Sequence, residues 1–136
     1  MLTHVGKGFN QKEMLESLHI CQAHGLRVNG NFILGWNNLI QSDIEELDNF
    51  MEKVPAGAMA TLQVRWLFAH PYTDIHETYQ GDAIAMGPFY LGFRARIPEK
   101  QLALNQKACN IVERFGRNKS CKLEGMPNIH RYLQES

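Results

Sequence analysis

Three cysteines, Cys21, Cys109 and Cys121, are the soft ligands of this 136-residue chain. A [4Fe–4S] cluster takes thiolates at short spacings such as CxxxCxxC or CxxC. No two cysteines are close in sequence here, so the chain alone carries no such ligand set. Cys121 lies in NKSCKLEG between Lys119 and Lys122, and cations nearby lower a thiol's pKa and favour the thiolate. It reads either as a nucleophile or cluster ligand, or as an ordinary surface thiol. Cys21 and Cys109 fall on or beside apolar helical stripes and read as core fillers.

The stretch HPYTDIHE groups His70, His76 and Glu77. Imidazole and carboxylate suit zinc or iron, but neither HxH nor HExxH is present, and no metal site is expected. Asp74 can orient His76 as a general base; equally, these are polar loop residues held by local turn bonds. Arg65 sits among large apolar residues. It can hold a carboxylate through a bidentate pair or stand solvated on an edge strand. Arg94 and Arg96 can contact an anion or form a charged rim. Gly35 and Trp36 end an apolar run, where they can border a nucleotide pocket or form a tight turn with a half-buried indole. GxSxG, GxGxxG and a P-loop are all absent, so a hydrolase or transferase built on His70 and Asp74 has no positive signature. No catalytic residue can be assigned.

These residues must be positioned by helices and strands. Asn10 and Glu13 form a capping box ahead of a first helix, with Phe9 and Met14 at the staple positions. Met14, Leu18 and Cys21, widened by Leu15, make its apolar face, and Gly25 ends it. Residues 26–34 read as a strand whose late loss of alternation predicts burial on both faces, as in a parallel sheet. A second helix starts at Ser42, boxed by Glu45, and carries Ile44, Leu47 and Met51 with Phe50 and Val54; Pro55 and Gly57 end it. Residues 61–68 form a second strand with Leu62, Val64, Trp66 and Phe68 on one face. Residues 73–79 predict a short helix, and 88–93 read as a third strand or a loop. Pro98 opens a last helix at its first position, with Leu104, Ala108, Ile111 and Phe115 repeating until Gly116 closes it. Ile129, Tyr132 and Leu133 suit a final packed turn. Helix–strand–helix–strand order implies βα units and a parallel sheet. Sites on such sheets form at the carboxyl ends of strands, here Gly35, Trp36 and Asn37, then His70, Tyr72 and Asp74.

The chain is 44% hydrophobic and 21% charged, which suits one folded domain, residues 1–136. Fourteen basic and fourteen acidic residues cancel, so nothing steers it toward nucleic acid or an anionic membrane. The N-terminus has no secretory h-region, and no stretch approaches the roughly 20 apolar residues a membrane span needs. Isolated cysteines point to a reducing, cytoplasmic setting.

Two segments carry a family resemblance: KGFNQKEMLESLHICQAHGLRVNGNFILGW at 7–36 and SDIEELDNFMEKV at 42–54. Together they resemble the C-terminal half of a radical SAM enzyme, closest to the cobalamin-associated type that includes modifiers of ribosomal peptides. VRWLFAHPYTDIHETY and GPFYLGFR extend the likeness less specifically, over roughly residues 5–115. The resemblance implies an α/β fold: a partial βα barrel with mostly parallel strands and flanking helices. It implies S-adenosylmethionine as cofactor, a [4Fe–4S] cluster only through a partner or a segment outside this chain, and cobalamin as in the parent family. It assigns Ile33 to adenine packing and Gly35 to close passage of the chain, with Trp36 following. Gly35-Trp36-Asn37-Asn38-Leu39 departs from the family's Gly-aromatic-Pro-Gly-Glu. Arg65, His70 and Tyr72 are then expected to face a substrate such as a peptide. The expected role is a fragment or subunit that supplies the distal barrel wall and is not catalytic alone. The alternative is a non-catalytic module that binds a peptide or protein. A half barrel exposes a sheet edge, so a homodimer, or a complex with a chain carrying the N-terminal half, is expected.

Overall fold

α1 (Gln11–Ala23) begins where local chemistry places it: Asn10 Oδ1 accepts the Glu13 N–H at 3.0 Å, and Glu13 Oε2 accepts the Asn10 N–H at 2.8 Å. It ends in a Schellman motif. Gly25 takes φ 71°, the Leu26 N–H reaches Cys21 O at 2.9 Å, and the Gly25 N–H reaches Gln22 O at 3.0 Å. The computed structural model describes residues 8–78, 81–85, 91–95 and 97–127.

The remaining elements are β1 (Val28–Leu34), α2 (Gln41–Lys53), β2 (Met59–Trp66), β3 (Phe68–Ala69), α3 (Asp74–Thr78), β4 (Gly81–Ala85), β5 (Leu91–Ala95), α4 (Glu99–Asn118) and β6 (Lys122–Glu124). β1, β2 and β6 form a parallel sheet in that order, with β2 central. β3, β5 and β4 form a second sheet that is antiparallel. The fold is mixed α/β, centred on a small, open, parallel three-stranded sheet flanked by helices. The antiparallel unit is a departure from the expected mostly parallel strands.

The helices share one core with one face of the sheet. Leu18 from α1, Ile44, Phe50 and Met51 from α2, and Leu102, Ala108, Cys109, Val112 and Phe115 from α4 meet Leu34, Leu62 and Val64. Burying each large apolar side chain contributes about 1.5–3 kcal/mol. On the opposite face Asn29, Asn31, Ile33 and Arg65 are exposed, and Thr61 and Gln63 are half-buried. Burial of the first strand on both faces is therefore overturned. Strand alternation puts Ile33 on the open face although it sits inside an apolar run, and β1 starts at Val28, leaving Leu26 exposed.

Several boundaries also shift. α2 starts earlier than Ser42, with Asp43 Oδ2 accepting the Ile40 N–H at 2.9 Å; isoleucine has no acceptor to complete the box. Its buried stripe is the expected one, with Leu47 half-buried. The second strand breaks at Leu67, whose N–H still reaches Leu34 O at 2.6 Å; the chain then changes partners and β3 pairs with β5. Pro98 is the cap of α4 rather than its first residue, and the helix runs past Gly116 to Asn118. Gly116 is there for packing, since a Cβ would lie 2.8 Å from Leu123 Cγ. β6 is an element without a sequence signal. Part of the 88–93 run is strand β5, carrying Arg94; residues 86–90, Arg96 and the proposed turn at 129–133 lie outside the described residues. At the amino end of the sheet, Arg27 ties three segments, donating to Gly57 O (3.0 Å), Met59 O (3.3 Å) and Ser120 O (3.2 Å). Among the described residues no helix is long and apolar enough to cross a membrane.

Candidate functional site

The carboxyl ends of β1 and β2 lie side by side in register, Ile33 beside Arg65 and Leu34 beside Trp66. Ile33, 43% exposed, and Arg65 therefore stand together on the open face. Arg65 Nη2 donates to Gln63 Oε1 at 3.3 Å along the same face, and its guanidinium stays in solvent. Gly35 turns the chain with φ 92°, a region few side chains tolerate. A Cβ there would lie 2.7 Å from Trp66 Cε2, so the close approach that requires glycine is to the indole. Trp36 folds back, its Nε1–H donating to Ile33 O at 3.0 Å. Four candidates, Ile33, Gly35, Trp36 and Arg65, are thus brought together.

α4 holds this turn with two amide side chains that sequence reasoning missed. Asn105 is fully buried. Its Oδ1 accepts the Gly35 N–H at 2.7 Å, and its Nδ2 donates to Trp36 O at 2.9 Å and to Gln101 O at 2.8 Å. One turn earlier, Gln101 makes a reciprocal pair with Leu39, accepting its N–H at 2.9 Å and donating to its carbonyl at 3.0 Å. The available signal was an asparagine four residues from a glutamine on the same stripe as Leu102, Ala108 and Val112. A buried amide there must find partners, and a neighbouring loop supplies them.

His70 and Tyr72 lie beyond the break at Leu67, on the segment that β3 joins to the second sheet. The His70 ring meets Phe68 edge-on at 4.8 Å. Tyr72 takes φ 65° and is wholly exposed. Thr73 Oγ1 donates to His70 O at 2.7 Å and accepts the His76 N–H at 3.2 Å, capping α3. Among the described residues no three His, Cys, Asp or Glu side chains come together to hold a metal, so His70, His76 and Glu77 form no such centre.

The cysteine expectations divide. Cys121 is buried, and that burial pushes its thiol pKa up, with Arg27 opposing the shift. The lysine-activated thiolate is overturned: Lys119 Nζ donates to Glu52 O at 2.9 Å, and Lys122 Nζ pairs with Glu124 at 3.2 Å. Cys109 is buried in the core, and burial followed by the Glu113 carboxylate raises its thiol to about 11. Cys21 is half-buried on α1. Raised pKa values run against the thiolate a cluster needs, so Cys109 and Cys121 do not fit as its ligands. A cleft between α2 and α4, lined by Met51, Ile111 and Phe115 with Asp48 and Arg114 at its rim, holds only 30 Å³, room for about one water, and lies apart from the strand ends. No family model, curated protein or solved structure matches the chain.

Proposed function

We propose that the chain is a section of a partial βα barrel whose open sheet face forms one wall of an S-adenosylmethionine and substrate site. The observation that carries this reading is a parallel sheet on one face of which α1, α2 and α4 pack, while on the other Asn29, Asn31, Ile33 and Arg65 are exposed. Parallel sheets are usually covered on both faces; barrel strands instead keep their helices outside and turn the other face inward. In this reading, Ile33 and Trp36 supply apolar contact for adenine, and Arg65, one strand away, pairs with a carboxylate of methionine or a peptide. His70 and Tyr72 border the substrate side. The chain is not catalytic alone: the radical chemistry belongs to a [4Fe–4S] cluster, with cobalamin as in the resembled family, held by a partner or a further segment.

Trp36 and Trp66, the chain's two tryptophans, both flank this site, so their fluorescence reports on it. Titration with S-adenosylmethionine is expected to give a saturable change. Arg65→Ala should weaken binding about tenfold, equivalent to about 1.4 kcal/mol, and Ile33→Asp should abolish it. No saturable change, or equal binding by all three proteins, sinks the proposal.

A further inference from the structure

We infer that β1 is an interface at which a second copy of this chain pairs antiparallel, about a twofold axis at Asn31. The Val28 N–H donates to Ala58 O at 2.9 Å, and Leu34 O accepts from Leu67. The even residues therefore turn their backbone groups toward β2, and Asn29, Asn31 and Ile33 turn theirs to an edge that no strand among the described residues covers. Edges normally carry lysine, proline or another block against pairing; Val28–Leu34 has no charged residue and no proline.

The strand is complementary to itself. Pairing centred on Asn31 sets Asn31 against Asn31 and Asn29 against Ile33 on the open face. On the core face it sets Val28 against Leu34, and Gly30 against Phe32. Every residue meets one from the same face, so core stays with core. Beyond the strand, Leu26, 60% exposed, comes opposite the half-buried Trp36. No charges face each other, and the chain's formal charge is zero, so two copies do not repel. Trp36 Nε1 already uses one lone pair of Ile33 O, and a carbonyl has a second for the new ladder. The pairing leaves both open faces accessible but takes the edge that a preceding barrel strand would join; it rests on the pattern of β1 and not on the ligand reading.

Sedimentation of the full chain without ligand tests this. One strand pair buries less than the roughly 800 Å² per partner of a standard interface, so a monomer–dimer transition is expected between about 1 and 200 µM. Asn31→Pro removes an edge N–H that pairs with no strand among the described residues, and Asn31→Lys puts two charges face to face. Each should shift the dissociation constant upward at least tenfold while leaving the circular dichroism unchanged. Paired residues at the axis lie about 5.5 Å apart, within disulfide reach. In a Cys21→Ser background, Asn31→Cys should therefore cross-link on oxidation, and Gln63→Cys, on the central strand, should not. A wild-type chain that stays monomeric overturns the inference and leaves the edge to a different protein. A dimer that persists in both Asn31 variants overturns it too, because the interface then lies elsewhere.

Discussion

Asn105 and Gly35, 70 residues apart in sequence, are joined by a buried 2.7 Å hydrogen bond from the Gly35 N–H to the Asn105 side-chain oxygen. The same amide donates to Trp36 O, so one α4 residue satisfies two backbone groups of the turn that carries the candidate site. Asn105→Leu would remove the partner of a buried Gly35 N–H and of a part-buried Trp36 carbonyl. Each such group costs about 1–3 kcal/mol, so urea denaturation should show a loss of about 3 kcal/mol. Asn105→Asp keeps the acceptor but loses the donor, and buries a charge. It should destabilise as well, most strongly at pH values where the carboxyl is ionised.

Gly35→Ala tests the turn from the other side. The substitution meets a φ of 92° and an indole 2.7 Å from the new methyl. Left-handed backbone alone costs an alanine about 1–2 kcal/mol, and overpacking adds about 1–3 kcal/mol. A fall in stability of about 3 kcal/mol with a shifted tryptophan emission maximum is expected. A stable variant with wild-type emission would mean that the turn and Trp66 are not packed in this way.

How much of this was legible in the sequence depends on how far apart the determinants lie. α1 could be read because its box, Asn10 and Glu13, and its stop, Gly25, are all local. The buried stripe of α2 follows from helical periodicity, even though its cap lay two residues earlier than Ser42 and Glu45 suggest. The open face could not be read: Phe32, Ile33 and Leu34 look alike as types, yet Leu34 is buried in the core while Ile33 stands 43% exposed on the other face. Leu67 gives no sign of the change of partner from β1 to β5, which depends on a strand more than 20 residues downstream. At the candidate site, strand-end logic pointed to Gly35 and Trp36, and a lone cation among large apolar residues pointed to Arg65, whereas the clamp by Asn105 and Gln101 depends on tertiary contact alone.

The buried thiols predict an alkaline loss of stability. Cys109 is raised from 9.0 to about 11 in the folded chain, first by burial and then by Glu113. Below about pH 9 the thiol is protonated in both states and the full stability is present. As pH rises from 9 toward 11 the unfolded thiol ionises and the folded one does not, so unfolding is favoured. The loss is on the order of 2 kcal/mol. Comparing wild type with Cys109→Ala at pH 8 and pH 10.5 separates this from other alkaline titrations: the gap between them should narrow with pH. At neutral pH a thiol reagent should modify Cys21 in the native chain and reach Cys109 and Cys121 only after denaturant is added.

Gly116 presents two opposing terms whose sum can be measured. In a helix interior, alanine is favoured over glycine by about 1 kcal/mol. Here, however, the new methyl would lie 2.8 Å from Leu123 Cγ and 3.2 Å from Cys121 O. Leu123 is half-buried on β6 and can yield only by giving up its packing on the core, whereas the carbonyl is backbone and moves only with β6. Overpacking of this kind costs about 1–3 kcal/mol, so Gly116→Ala should be net destabilising by about 1 kcal/mol. Removing the obstacle should reverse the sign. In a Leu123→Ala background, itself less stable, the same glycine substitution should become neutral or stabilising by up to about 1 kcal/mol. The double-mutant cycle should then give a coupling of about 1–2 kcal/mol. A coupling near zero would mean that α4 and β6 do not approach as closely as Gly116 and Leu123 indicate.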